Sequence, residues 1–459
     1  SQPMQSLDGE LVIAFNGEIY NYYEIKKSLY KEFNFKDWRG TSDTEVLLVA
    51  IEKWGIKKTL QKCQGMFAIA LWNKRLKKLT LARDRFGEKP LYWGKVKINN
   101  FSDDNIVFSS EISSILSLPG LKKEINYDAL GNYFKFGFLP SPSSIIKGVN
   151  QLKPGNYIEI NSKDLSLPIN FNSEVRWWDI YKVAQNAFNN QDKSLNSKDE
   201  IERILKEVIK DQSNADVPVG TFLSGGIDSS LITALLQEQS IKKIKTFTVC
   251  FPESGLGESA FNEGNYARDI SNILGTDHNE IDITSKEVID LIPEIPYYFS
   301  EPFADSSQIA TLLISKKIRS SGIKVALSGD GGDELFGGYN RHIYGPLINI
   351  LFSKQPKFLK KIFSELIYKF PTNKRGLKLD KKKKLMKIIN SDSNFNDFYE
   401  SFLSEQINQD TSLINNLHNN KNYSLITNEF RDLLIPSMEE RIMLADMIAY
   451  LADDILVKI

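Results

Sequence analysis

The stretch Gly220–Ser230, GTFLSGGIDSS, constrains this chain more than any other. It follows an apolar run, Val217–Leu223, and opens an apolar-periodic stretch, Asp228–Gln239. The pattern predicts a strand, a glycine turn and a helix. Two adjacent glycines let the backbone fold tightly and turn successive N–H groups toward one point. The following helix aims its positive end at the same point. Ser224, Ser229 and Ser230 add hydroxyl donors. Asp228 is suited to the Mg²⁺ that accompanies a pyrophosphate. A bare S-G-G here would be no more than a turn with a capped helix. The full S-G-G-x-D-S-S between strand and helix points to a phosphate site. It is not a G-x-x-x-x-G-K-[ST] loop, because no Lys follows, and it lacks the G-x-G-x-x-G spacing.

Strands expected at Ile244–Phe251, Glu280–Ile283 and Ile323–Ser328 alternate with helices, one of them around Ala260–Leu274. That order predicts a parallel sheet with helices on both faces. A second glycine-rich string, Leu327–Tyr339 (LSGDGGDELFGGY), follows the last of these strands and carries three carboxylates. Such a loop can bring acid groups to a phosphate-bound metal. Ser224–Ser230 resembles the pyrophosphate loop of the ATP-pyrophosphatase (PP-loop) enzymes. Leu327–Tyr339 is similar to the matching loop of the asparagine synthetase B family. This resemblance implies ATP contacts at Leu223, Ser224, Gly225, Gly226, Asp228, Ser229, Val249, Ser328 and Gly329. It implies Mg²⁺–pyrophosphate ligands at Asp228 and Asp333. It also places the acid of Asp330 beside an acyl-adenylate, as the catalytic residue.

The first part of the chain mixes strands and helices. Leu11–Phe15 ends at Asn16-Gly17, Asp43–Trp54 has helical spacing with Asp43 at the expected N-cap, and Met66–Trp72 and Lys78–Ala82 read as paired strands. Asn16 and Gly17 at a strand end can offer a side-chain amide and a backbone N–H to an oxyanion. Phe15–Asn21 (FNGEIYN), Thr41–Glu45 (TSDTE) and Ala82–Tyr92 (ARDRFGEKPLY) resemble class II glutamine amidotransferases. The resemblance implies glutamine binding by Asn16, Gly17, Glu18 and Asp43, and a structural role near the domain junction for Ala82–Tyr92. Its nucleophile is an N-terminal Cys. Ser1 is not one, and Cys63 and Cys250 read as small buried residues. Ala449–Ile459 resembles the family's Y-L-x-D-D-I-L-V-K-x-D-R, after which the family continues to a further Lys. Both domains are therefore expected to be cut.

The expected fold is an α+β Ntn-type amidotransferase domain (an αββα sandwich, incomplete) over 1–160 and a connection over 161–200. An α/β parallel-sheet PP-loop synthetase domain with a helical C-terminal part follows over 201–459. The implied chemistry is glutamine hydrolysis, passage of ammonia through an internal tunnel, and ATP- and Mg²⁺-dependent conversion of aspartate to asparagine through β-aspartyl-AMP. Amidation of a sugar carboxylate and a catalytically silent regulatory homologue are the alternatives. With 58 basic and 58 acidic residues, the chain gives no reason to expect nucleic acid or an anionic membrane surface. The run Lys381–Lys384 reads as a solvated helix face. No apolar run reaches spanning length, and two cysteines suit a reducing cytoplasm. His278, His342 and His418 lack metal-ligand spacing. The partners expected are small molecules (glutamine, aspartate and ATP), with a homodimer left open.

Overall fold

A computed structural model describes residues 2–98, 105–164, 173–189, 197–251, 263–369, 376–391, 394–404 and 424–458. The expected strands Met66–Trp72 and Lys78–Ala82 form an antiparallel hairpin, β3 (Gly65–Asn73) and β4 (Lys78–Arg83). β2 (Leu11–Ile19) pairs with the other edge of β3, and β1 (Met4–Gln5) lies outside β2. β8 (Asn156–Asn161) and β9 (Val175–Arg176) extend the β4 edge, which gives a six-stranded sheet. The run 161–200, expected as a connection, thus contains β9, and Trp177 sits in the first core.

Alternation along β2 and β3 explains the layers. Ile13, Phe15, Phe67 and Ile69 face the helices Tyr22–Phe33 and Asp43–Trp54 and form one core with them. Ala68, Ala70 and Leu81 point the other way. They pack on a second, three-stranded sheet of β5 (Tyr92–Val96), β6 (Asn105–Ser109) and β7 (Val149–Gln151), in the order β6-β5-β7. The short helix Ile112–Leu116 packs beside that sheet.

The second half holds a parallel sheet in the order β12-β11-β10-β13. Its strands are β10 (Val219–Phe222), β11 (Lys245–Cys250), β12 (Asp277–Asp282) and β13 (Val325–Leu327). Helices Ser197–Ser213 and Ile227–Glu238 cover one face through Ile209, Leu235 and Leu236. Helix Ser307–Ser320 covers the other through Leu313, Ile314 and Ile318. The chain runs outward from β10 to β11 to β12 and returns to the far side of β10 as β13. The direction of winding therefore reverses between β10 and β13. In such sheets the crevice beyond the strand ends at the reversal is the ligand site.

The expected strands begin and end within three residues of expectation, apart from β2, which runs through the expected turn at Asn16-Gly17 to Ile19 because β3 pairs with it along its whole length. β12 shows the largest shift at its start, Asp277 instead of Glu280. β12 is an edge strand with a largely polar sequence, DHNEID, and only Ile281 among its residues is buried. Part of the helix expected at Ala260–Leu274 lies outside the described residues; helix Gly264–Leu274 is seen. Beyond Tyr339 the structure is helical, ending in a wide π-helical turn, Leu451–Ile455, and a 3₁₀ turn, Leu456–Lys458. The helical core takes in Phe136 and Phe138 from the first half.

Candidate active sites

The turn Ser224–Gly226 leaves β10 and enters helix Ile227–Glu238, whose N-terminus has no side-chain cap. Thr221 on β10 and Thr233 on the helix share a hydrogen bond at 3.0 Å, which fixes the angle between them. Ser224 and Ser229 hydroxyls lie 3.0 Å apart, and the Gly226 N–H donates to Ser224 Oγ at 3.2 Å. Gly225 has φ +80°, and a Cβ there would lie 2.6 Å from Tyr266 Cβ. Only glycine fits that turn.

The second glycine loop leaves β13, the neighbour of β10, and meets the first. A Cβ on Gly332 would lie 2.7 Å from Asp228 Cγ, so the two loops touch at the Asp228 carboxylate. Burial first, then the negative charge of Asp228, pushes the Asp333 carboxyl up; Asp330 adds to this, and His342 and Arg341 oppose it. Three carboxylates thus crowd one region, an arrangement a divalent cation would relieve. Among the described residues no group of three His, Cys, Asp or Glu is arranged to hold a metal by itself. A Mg²⁺ carried on pyrophosphate needs only one or two protein carboxylates, so Asp228 and Asp333 fit it.

A cleft of about 360 Å³ lies over these loops. Ser224, Gly226, Asp228, Ser229, Val249, Ser328, Gly329 and Asp330, all expected at an ATP site, line it. Leu223, Gly225 and Asp333 do not. Leu223 is buried, with its N–H bonded to the Phe247 carbonyl oxygen at 2.8 Å. Gly225 packs on Tyr266, and Asp333 packs against Gly338. Sequence reasoning missed Ser307, Thr311 and Lys458, which also line the cleft. The Lys458 ammonium donates to Asp305 Oδ2 at 2.6 Å and to Ser307 Oγ at 3.0 Å. It is the one lysine among the cleft-lining residues.

In the first half of the chain, β2 carries Asn16, Gly17 and Glu18 beside the start of helix Asp43–Trp54. Ser42, not Asp43, caps that helix. Asp43 is its first residue, and its carboxylate accepts the Ile19 N–H at 2.9 Å and the Thr44 N–H at 2.6 Å. Burial first, and then Asp43, raises the Glu18 carboxyl pKa. Asn16 donates to Ser110 Oγ at 2.9 Å. Gly17 lies opposite Phe67 in the β2–β3 register. The four expected glutamine ligands therefore lie within one strand end and the helix start beside it. In the loop after β4, the Asp84 carboxylate accepts the N–H groups of Gly87, Glu88 and Lys89 at 2.6–2.9 Å. Arg83 donates to the Gly87 carbonyl oxygen at 2.7 Å. That loop is held rigid by its own motif. Cys63 is fully buried, and burial pushes its thiol up to about 12.

A cavity of about 290 Å³ lies between the two ends. Asn16, Glu88 and Tyr92 line it from the first half; Glu301, Phe303 and Val457 line it from the second. Val457 faces this cavity while the next residue, Lys458, faces the cleft. The cavity and the cleft are thus bordered by consecutive residues of one segment.

A model of the glutamine amidotransferase domain matches residues 1–177, and a model of the asparagine synthase family matches residues 200–458. The fold and its two sites therefore define a two-domain chain of the amidotransferase–synthase class. Over 384 residues it is 34% identical to glutamine-hydrolyzing asparagine synthetase 1 of Bacillus subtilis, covering 82% of this chain and 55% of that protein. Over 409 residues it is 32% identical to putative glutamine-hydrolyzing asparagine synthetase 2 of Methanocaldococcus jannaschii, covering 87% and 71%. Amidase chry2 of Gibberella zeae is 30% identical over 359 residues, covering 74% and 49%. This chain belongs to the asparagine synthase family. Its match spans about half the length of the Bacillus relative.

Proposed function

We propose that the protein makes L-asparagine from L-aspartate with ATP, Mg²⁺ and the amide nitrogen of glutamine. The observation that carries this reading is the shared cavity. Asn16 of the amidotransferase half and Val457 of the synthase half line one space, and the next residue, Lys458, lines the cleft. On this reading, ammonia released beside Asn16 would cross this cavity to reach an acyl group activated in the cleft.

Free carboxylate is a poor electrophile, and adenylation supplies a leaving group. The Ser224–Ser229 turn and the uncapped helix end would hold the β and γ phosphates. Asp228 and Asp333 would hold Mg²⁺, which neutralises charge on the departing pyrophosphate. Asp330 would orient the aspartate β-carboxylate and the β-aspartyl-AMP formed from it. Val249, at the carboxyl end of β11, would border the adenine. Catalysis in this cleft is positioning plus charge neutralisation. In the first half, Asn16 and Gly17 would stabilise the oxyanion, and Glu18 and Asp43 would bind the glutamine α-ammonium group.

The Gibberella relative named an amidase favours a second reading, a different carboxylate acceptor. An ATP–pyrophosphate exchange assay separates the two. Exchange supported by aspartate and not by uronic acids is expected; exchange with uronic acids alone would overturn the asparagine reading. Formation of ADP and phosphate would overturn adenylation itself.

A further inference from the structure

A cavity of about 230 Å³ lies among the C-terminal helices and shares no lining residue with the nucleotide cleft. Two cations face it. Lys360, on helix Lys357–Lys369, is 4% exposed, and its ammonium donates to the Ser391 carbonyl oxygen at 3.0 Å. Arg441, on helix Met438–Ala449, lies over two rings, 4.7 Å from the Phe395 centroid and 5.5 Å from that of Phe430. Its Nε is buried and has no acceptor. Among the described residues neither cation has a carboxylate within ion-pair reach. Burial lowers the Arg441 pKa with no acid opposing it.

Elsewhere in the same helical core two cations are paired with carboxylates. Arg341 meets Asp446 at 2.8 Å, and Lys135 meets Glu400 at 2.6 Å. A buried, uncompensated charge costs several kcal/mol. Lys360 is buried and Arg441 half-buried, and the two together favour an anion in the cavity they face. Phe352, Phe398 and Met438 supply apolar surface to the same lining. Asn349, Ser353, Ser391 and Asn394 add polar groups to the lining, so the cavity offers an anion hydrogen-bond donors beside the two cations.

We propose that this cavity binds a small organic anion. Its carboxylate or phosphate faces Lys360 and Arg441, and its apolar body rests on Phe352, Phe395 and Phe398. The assignment does not depend on asparagine synthesis. Crystals of the protein soaked with 4-bromobenzoate, and separately with 4-bromophenyl phosphate, test it directly, and the two arms tell which headgroup is preferred. The expected result is bromine anomalous density in this cavity for at least one probe, with the acid group toward Arg441. No bromine there for either probe, or bromine only beside Ser224 in the nucleotide cleft, overturns it. In solution, Arg441→Met and Lys360→Met should each weaken the bound probe at least tenfold, whereas Asp228→Ala should not. Unchanged affinity in both cation variants also overturns the site. The wild-type soak decides the question if a variant fails to fold.

Discussion

The Tyr92 hydroxyl donates to Glu301 Oε2 at 2.9 Å, across the junction of the two halves. Glu301 is held from the amidotransferase side at three further points. Ser144 Oγ donates to it at 2.9 Å, the Ile145 N–H at 2.7 Å and Gln151 Nε2 at 3.3 Å. A synthase carboxylate is thus plugged into a socket of donors on the other domain. Both Tyr92 and Glu301 line the shared cavity.

Loosening this plug should make the passage leak. In Glu301→Gln, glutamine consumed per asparagine formed should rise at least twofold, while the rate with free ammonia stays near that of the parent. Tyr92→Phe should act in the same direction more weakly. An unchanged ratio in Glu301→Gln would show that the socket only holds the halves together.

Asp228→Ala and Asp330→Ala should each lower pyrophosphate release at least a hundredfold, since each removes charge stabilisation or positioning at the reacting centre. Asp330→Glu should keep a measurable rate, because it retains the acid. Normal release in either alanine variant would remove the cleft from the chemistry.

Gly225→Ala places a Cβ at φ +80° and against Tyr266. A cost on the order of 1–3 kcal/mol is expected, together with a raised KM for ATP. Thermal melts and ATP kinetics read both effects. A parental KM would show that the turn does not touch phosphate.

Much of the nucleotide cleft is legible in the sequence because its two loops are continuous strings that follow strands. Ser224–Ser229 and Ser328–Asp330 need no long-range information to be found. Lys458, Ser307 and Thr311 carry no local signature. Ser307 and Thr311 reach the cleft because helix Ser307–Ser320 packs on the sheet, and Lys458 because the segment Leu456–Lys458 returns to that helix, where Lys458 meets Asp305. The polar β12 was misplaced for a related reason, as an edge strand buries only one residue and so shows little pattern. The sequence places Asp43 at the N-cap as well as among the glutamine ligands, because an acid at a helix start satisfies the cap pattern equally well. Its bond to the Ile19 N–H depends on β2, which is distant in sequence.

Acid stability should carry a signature of the junction. Burial pushes the Asp453 carboxyl to about 6, and those of Asp454 and Glu88 to about 7. Each folded-state pKa is raised, so the folded protein holds protons that the unfolded chain has released. The stability this supplies is complete below the ordinary carboxylate range and is lost as the pH rises through 6–7. Asp453→Asn stays uncharged and can still accept the Ser141 N–H, which meets Asp453 Oδ2 at 2.7 Å. Its melting temperature should exceed that of the parent by roughly 2–4 °C at pH 8, with a smaller gain at pH 4.5 and almost none below the ordinary carboxylate range. A larger gain at pH 4.5 than at pH 8 would contradict the raised pKa.

Channelled transfer of nitrogen from Asn16 to the cleft is tested most directly by isotope tracing. The complete protein is given glutamine labelled with ¹⁵N in the side-chain amide, aspartate, ATP and Mg²⁺, with excess unlabelled ammonium in solution. An enclosed passage predicts asparagine carrying the ¹⁵N label at well above the bulk ammonium ratio. Asparagine labelled only to that of the bulk pool, or no asparagine, would contradict it.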